Sequence, residues 1–260
     1  GLTAPEKEFT FTVNFNGEDT LSGNFTYTQN GEKKAVQDGG TITLKANESV
    51  TITGIPVGTA YTVTETSAGD GFTQTVPANG TAATGEIKSG TIKAEFTNNY
   101  SASSTTLNGD DTNGKLLVKK EIDGRYWQES DSFTFTLTGQ KDAPMPSDVT
   151  GNTATVTIDA SDTPNYTANF GDITYTAPGT YTYTVQEDGE SNNGLTYDDT
   201  VYTVAVEVKD DQKGALYVDS VTYKAGNTDY TDDNYTTNGG MLPERAAYRL
   251  FCCPGFPKGC

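Results

Sequence analysis

Two glutamates recur at matching places in this chain. Tyr61-Thr-Val-Thr-Glu65 in the first half answers to Tyr183-Thr-Val-Gln-Glu187 in the second, and Phe9-Thr-Phe-Thr-Val13 answers to Phe133-Thr-Phe-Thr-Leu137. Each phrase alternates bulky and polar residues at period two, the pattern of a strand with one buried and one wet face. Alternation puts Glu65 on the face of Tyr61 and Val63, and Glu187 on the face of Tyr183 and Val185. An unpaired carboxylate is costly to bury, so a carboxyl aimed twice into a core points to a role that needs low dielectric.

Partners for Glu187 stand at the two ends of its half. Lys119 and Lys120 lie within Leu-Leu-Val-Lys-Lys-Glu-Ile, and alternation requires one of them to face the core side. The segment Tyr230-Thr-Asp232-Asp233-Asn234-Tyr235, where a last strand is expected, supplies two aspartates and an asparagine. A buried lysine that has lost its proton is a nucleophile. A protonated glutamate beside it polarises an amide or acid carbonyl and shuttles the proton. The product is an intramolecular amide joining first strand to last. The same residue types equally make a plain salt bridge between Glu187 and a lysine, and on these residues alone both readings stand.

Composition narrows the alternatives. The 260 residues suit two domains, each of roughly 100–120 residues. Histidine is absent, which removes the usual general base, the common zinc ligand and any Ser-His-Asp or Cys-His arrangement. Seventeen Lys+Arg against 35 Asp+Glu give a net charge of −18, so a phosphate backbone is repelled and nucleic acid is not an expected partner. The cysteines, Cys252, Cys253 and Cys260, all sit at the C-terminal end, so no disulfide is expected within either domain. Their spacing lacks a fourth ligand for zinc, and no metal or cofactor is expected.

Thr, Tyr, Phe and Val interleaved with polar residues favour antiparallel strands. In the first half strands are expected at 9–15, 25–28, 41–44, 49–55, 60–66, 72–76 and 90–98. Asn16-Gly17, Asn30-Gly31, Asp38-Gly39-Gly40 and Asp70-Gly71 supply turns between them. In the second half they are expected at 115–122, 132–138, 153–158, 166–175, 180–187, 202–210 and 216–224. Each set implies a seven-strand sandwich, so the fold class is all-β, two tandem immunoglobulin-like antiparallel β-sandwiches. Residues 101–113, rich in Ser, Thr, Asn and Asp, read as a solvated linker. Asp110, Asp111 and Asn113 within it lack the spacing of an EF-hand calcium loop.

The second half, through KLLVKKEIDGRYW, SFTFTLTG, FGDITYTAPGTYTYTVQEDG and YDDTVYTVAVEVKDD, resembles the pilin isopeptide-linkage domain of Gram-positive major pilins over residues 114–236. The first, through ITGIPVGTAYTVTETSAGDGF and KAEFTNNY, resembles a collagen-adhesin B-type domain of the same surface proteins, the domain being taken as 1–100. The resemblance implies autocatalytic Lys–Asn or Lys–Asp isopeptide bonds assisted by an acid. It gives Lys120 the lysine role and Glu187 the acid role. The family's closing aromatic-Thr-Asn phrase appears as Phe96-Thr97-Asn98, which makes Asn98 the acceptor beside Glu65. In the second domain the phrase is altered: counting from Tyr230 gives Asp232, with Asn234 as the alternative and Asp233 between them. The first domain shows no lysine-bearing strand before Phe9, as though the chain begins inside it. Lys7 is the nearby substitute, and an edge left open beside the strand ending at Asn98 is expected to accept an added strand.

Residues 237–260 are expected as an unstructured tail. Thr-Asn-Gly-Gly-Met-Leu242-Pro243-Glu244 resembles the lead into an LPxTG sorting signal, but the threonine and a following apolar span are missing; a frameshifted or truncated reading accounts for both. No signal peptide is visible. The expected function is therefore structural: a subunit or stalk segment of a pilus or adhesin on the cell wall, anchored by sortase, partnered by other subunits and not acting as an enzyme on external substrates. The alternative is an adhesin module for host glycan or matrix protein. Its candidate contact is Tyr126-Trp127, a pair expected to pack rather than to stack on ligand.

Overall fold

The computed structural model describes residues 7–16, 23–66, 68–108, 116–122, 124–164, 166–189, 195–225 and 228–230. It divides into two compact units at Ser103/Ser104, with Gln212–Ala215 clustering with the first. The protein is all-β, and its named strands pair antiparallel. Among the described residues no helix is long and apolar enough to cross a membrane.

The first unit contains β1 (Glu8–Asn16), β2 (Phe25–Gln29), β3 (Glu32–Val36), β4 (Gly40–Lys45), β5 (Ala60–Glu65), β6 (Phe72–Val76), β7 (Ala83–Glu86) and β8 (Thr97–Tyr100). One sheet runs β4-β1-β5-β7, and β2-β3 and β6-β8 form separate ladders. β1 is central because its odd residues are apolar: Phe11, Val13 and Phe15 are buried, while Thr12 and Asn14 between them are not. Val13 and Phe15 pack with Phe25, Tyr27, Val36 and Ile42. The β2–β3 reversal uses Asn30 and Gly31, both at positive φ (52° and 80°), the pair that matches the right-handed twist of a hairpin.

Two expected strands of this unit do not form as drawn. Residues 49–55 make an isolated bridge, Thr53 to Thr26, although Val50, Ile52 and Ile55 still pack on the core. The 90–98 run pairs only from Thr97 onward. β3 and β7 were not expected, because Glu-Lys-Lys-Ala-Val and Ala-Thr-Gly-Glu carry little apolar alternation; they are strands because their neighbours present open ladders.

The second unit contains β9 (Thr105–Leu107), β10 (Leu117–Lys119), β11 (Ser132–Gly139), β12 (Thr153–Asp159), β13 (Thr167–Asn169), β14 (Ile173–Tyr175), β15 (Gly179–Asp188), β16 (Tyr202–Asp210), β17 (Leu216–Ala225) and β18 (Thr228–Tyr230). The main sheet runs β12-β11-β15-β16-β17-β18, with β10-β13 and β9-β14 as further ladders. Phe133, Phe135 and Leu137 alternate inward along β11, and Tyr183, Val185, Val204, Val206, Val221 and Tyr223 continue the core across the sheet. Fully burying a side chain of this size contributes about 1.5–3 kcal/mol.

The linker expected over 101–113 needs correction. Within it Thr105–Leu107 pairs with Ile173–Tyr175, and Leu107 is buried, so part of that polar run is a strand of the second unit. One apolar residue among serines and threonines leaves no periodicity to read. The strand expected over 166–175 is two strands, interrupted where Gly171 takes φ 91° and its N–H donates to Asn169 Oδ1 at 3.1 Å.

Candidate functional site

Lys120 settles which of the paired lysines faces inward. Leu116 and Val118 are buried, and Lys120 follows in the same phase, 1% exposed; Lys119 points the other way and pairs with Glu121 at 2.8 Å. The Lys120 backbone N–H donates to Tyr166 O at 2.9 Å, continuing the β10–β13 ladder by one residue. Its ammonium lies 2.9 Å from Glu187 Oε2 and 2.8 Å from Oε1, and the Glu187 side chain is 3% exposed. The Asp198 backbone N–H donates to Glu187 Oε2 at 3.3 Å.

An aromatic wall closes this pair. Lys120 Nζ sits 4.5 Å from the Phe133 ring centroid. Trp127 meets Phe133 edge-on at 5.3 Å and stacks flat on Tyr166 at 4.1 Å, and Tyr197 touches Phe133 from another side. The loop carrying Trp127 is clamped by a bidentate Arg125–Asp131 pair, 2.7 Å on each arm, and Asp131 also accepts from the Gln128 N–H. Of the pair expected to pack, Trp127 does so and Tyr126 does not, being 95% exposed.

Burial pushes the Lys120 ammonium down from the ordinary lysine value, opposed by the hydrogen bond and charge of Glu187 and by the charge of Asp198. In a dry pocket an ion pair and the neutral amine–acid pair left by one proton transfer carry the same net charge, and low dielectric narrows the gap between them. The geometry therefore holds an amine and a carboxyl that can exchange a proton beside an incoming acyl group. Asp232, Asp233 and Asn234 lie outside the described residues. The described chain approaches them along β18, whose ladder partner is β17.

The first unit repeats the frame with one member different. Phe11 faces Glu65 across β1 and β5, Val13 faces Val63 and Phe15 faces Tyr61; in the second unit Phe135 faces Glu187, Leu137 faces Val185 and Gly139 faces Tyr183. Glu65 is 8% exposed and accepts from Asn98 Nδ2 at 2.7 Å, so the structure brings these two together. Burial raises the Glu65 carboxyl above its ordinary range, partly offset by the Asn98 hydrogen bond. Lys7, the sequence-expected substitute, is held elsewhere: its ammonium pairs with Asp70 at 2.6 Å and lies 5.7 Å from the Phe72 ring.

Sequence reasoning missed Asp198, Tyr166 and Tyr197, and it expected Trp127 to pack without placing it beside the pair. These come from loops and strand ends, where no period marks the facing side.

Residues 116–236 match the family described as FctA, Spy0128-like isopeptide containing domain. Residues 2–100 match a domain of unknown function (DUF7601). The second unit is thus similar to an isopeptide-containing domain over almost its whole described length. No curated protein matches the chain.

Proposed function

We propose that this chain is a structural subunit or stalk segment of a Gram-positive cell-surface pilus or adhesin, and that its second unit cross-links itself once. The match of residues 116–236 to an isopeptide-containing pilin domain supports the coarser reading, a pilus structural subunit outside the cell. The observation that carries the finer one is the lysine–glutamate pair, both side chains at most 3% exposed, with a hydrogen bond and a wall of rings around it. Neutral Lys120 Nζ attacks side-chain Cγ of Asp232, or of Asn234; the Nζ–Cγ bond forms, Glu187 relays the amine's proton to the leaving group, and water departs as Cγ–O breaks in Asp, or ammonia as Cγ–Nδ2 breaks in Asn. The resemblance of the first unit to a collagen-adhesin B-type domain fits a tandem stalk.

The test is the intact mass of the folded recombinant chain, followed by peptide mapping. Loss of one water assigns Asp232 or Asp233, loss of one ammonia assigns Asn234, and the branched peptide must contain Lys120. An unmodified mass in folded protein overturns the cross-link. A second reading, an adhesin module for a host glycan or matrix protein, has one observation in its favour: the fully presented Tyr126 ring.

A further inference from the structure

Glu187 is held from two sides. Lys120 Nζ lies 2.8 Å from Oε1 and 2.9 Å from Oε2, and the Asp198 backbone N–H donates to Oε2 at 3.3 Å. Asp198 reaches this place through a turn built on its own side chain. Its Oδ1 accepts the Thr200 N–H at 2.9 Å, the local bond an aspartate offers the backbone two residues on, and its Oδ2 accepts the Tyr202 hydroxyl at 3.4 Å. Tyr202 stands opposite Val185 in the β15–β16 ladder, so the turn is pinned to the strand that carries Glu187. The neighbouring Tyr197 ring tilts against Phe133, 5.6 Å between centroids, on the ring that also faces Lys120 Nζ. Gly189 leaves room for it, because a Cβ there would run into the Tyr197 ring.

We infer that Asp198 is a positioning residue for amide formation: its side-chain turn aims its own N–H at Glu187 Oε2, seats Tyr197 against Phe133, and so makes Oε1 the oxygen that carries the proton. A protonated carboxyl has one hydroxyl and one carbonyl oxygen, and a backbone N–H bonds to the carbonyl one. With Oε2 engaged in that way, the proton leaving Lys120 lands on Oε1. Nζ–H breaks as Oε1–H forms. Nζ then bonds to the acceptor's Cγ, and both protons shed by Nζ travel through Oε1 to the departing group, giving water from an aspartate carboxylate or ammonium from asparagine. The Asp198 charge also acts on Lys120. Glu187 from β15 and Asp198 from the segment before β16 both favour the charged ammonium against burial. β11 presents the Phe133 ring there, and the segment before β13 presents the Tyr166 carbonyl. Asp188, next to Glu187, accepts from Thr136, and Lys119, next to Lys120, pairs with Glu121.

This inference rests on the cross-link proposed for Lys120 and Glu187, and the experiment separates the two. The full-length chain is recovered in denaturant straight from synthesis, refolded by dilution at a series of pH values, and quenched at intervals for intact mass. Fluorescence of Trp127, the only tryptophan, follows folding in the same samples. Asp198→Ala should slow the mass loss about tenfold, the effect of one hydrogen bond to a charged group, while the fluorescence reaches its wild-type value. Asp198→Asn keeps an oxygen for the Thr200 N–H. Its rate should reach the wild-type plateau, and the acid limb of its pH profile should move to lower pH, because the charge that helps Lys120 keep its proton is gone. A role confined to stability leaves that limb where it is. A wild-type chain that folds without losing mass overturns both readings. A wild type that reacts while Asp198→Ala matches its rate overturns this inference alone. So does an Asp198→Asn profile that lies on the wild-type one, and that measurement decides the matter if Asp198→Ala does not fold.

Discussion

Lys120 and Glu187 stand 67 residues apart in sequence and meet at hydrogen-bond distance inside the second unit. Neither strand alone has reason to bury its charge. Leu116 and Val118 set the phase that carries Lys120 inward, and Tyr183 and Val185 do the same for Glu187. The pairing therefore follows from two independent alternations converging on one dry pocket.

Glu187→Ala should abolish the mass loss and leave the second unit open to trypsin. By analogy with disulfides, tying Lys120 to Asp232 restricts the unfolded chain by roughly 4–5 kcal/mol for a loop of about 100 residues. A melting curve unchanged from wild type would remove the glutamate from this role.

Changing one partner should cost more than changing both. Lys120→Met alone leaves the Glu187 carboxylate buried without its counter-charge, a loss of about 3–5 kcal/mol beyond the missing cross-link. Lys120→Met with Glu187→Leu should recover that part of the stability in urea titrations. Neither variant should show the mass loss.

Glu65 gives a pH dependence in the first unit. Its carboxyl is raised by burial, so the folded state holds the proton more tightly than the unfolded chain. The unit is therefore favoured below the ordinary carboxylate value of 4.5 and loses that contribution as pH rises through the raised folded value. Glu65→Gln should flatten this slope. Thermal melts of the first unit's transition between mildly acidic and neutral pH measure it, and an equally steep slope in the variant would contradict the assignment.

Asp131 is held below the usual carboxylate range, first by the Arg125 hydrogen bond and further by the Gln128 N–H. Its contribution is present above the ordinary value of 3.8 and is lost as pH falls through the lowered one. Asp131→Ala should cost about 1 kcal/mol by removing the hydrogen bonds that Arg125 and the Gln128 N–H make to its carboxylate. It should also slow amide formation in refolding time courses, because the loop that carries Trp127 to Phe133 is released. Unchanged kinetics would mean the wall forms without its clamp.

Strands whose own residues alternate were legible from sequence, and strands induced by neighbours were not. Phe9 to Phe15, Phe133 to Leu137 and Tyr202 to Asp210 announce a buried face, and each is a strand within a residue of expectation. Glu32–Val36 and Thr105–Leu107 carry almost no apolar signal and exist because Phe25–Gln29 and Ile173–Tyr175 offer them ladders. At the site, alternation identified Glu65 and Glu187 and narrowed the lysine to two adjacent residues. The phase of Leu116 and Val118 decided between them. Asp198 and Trp127 reach the pair from irregular segments, where facing depends on tertiary contacts.

Lys120 directly follows the short strand β10, whose ladder partner is β13. Once its side chain is joined to the segment following β18, a pull on the two ends of the second unit enters at Lys120 and leaves through the amide. The hydrogen bonds between β11, β15 and β16 then bear none of the load. With the proposed amide in place, the sheet would keep its fold under tension because the force would be carried by a covalent strut that bypasses it.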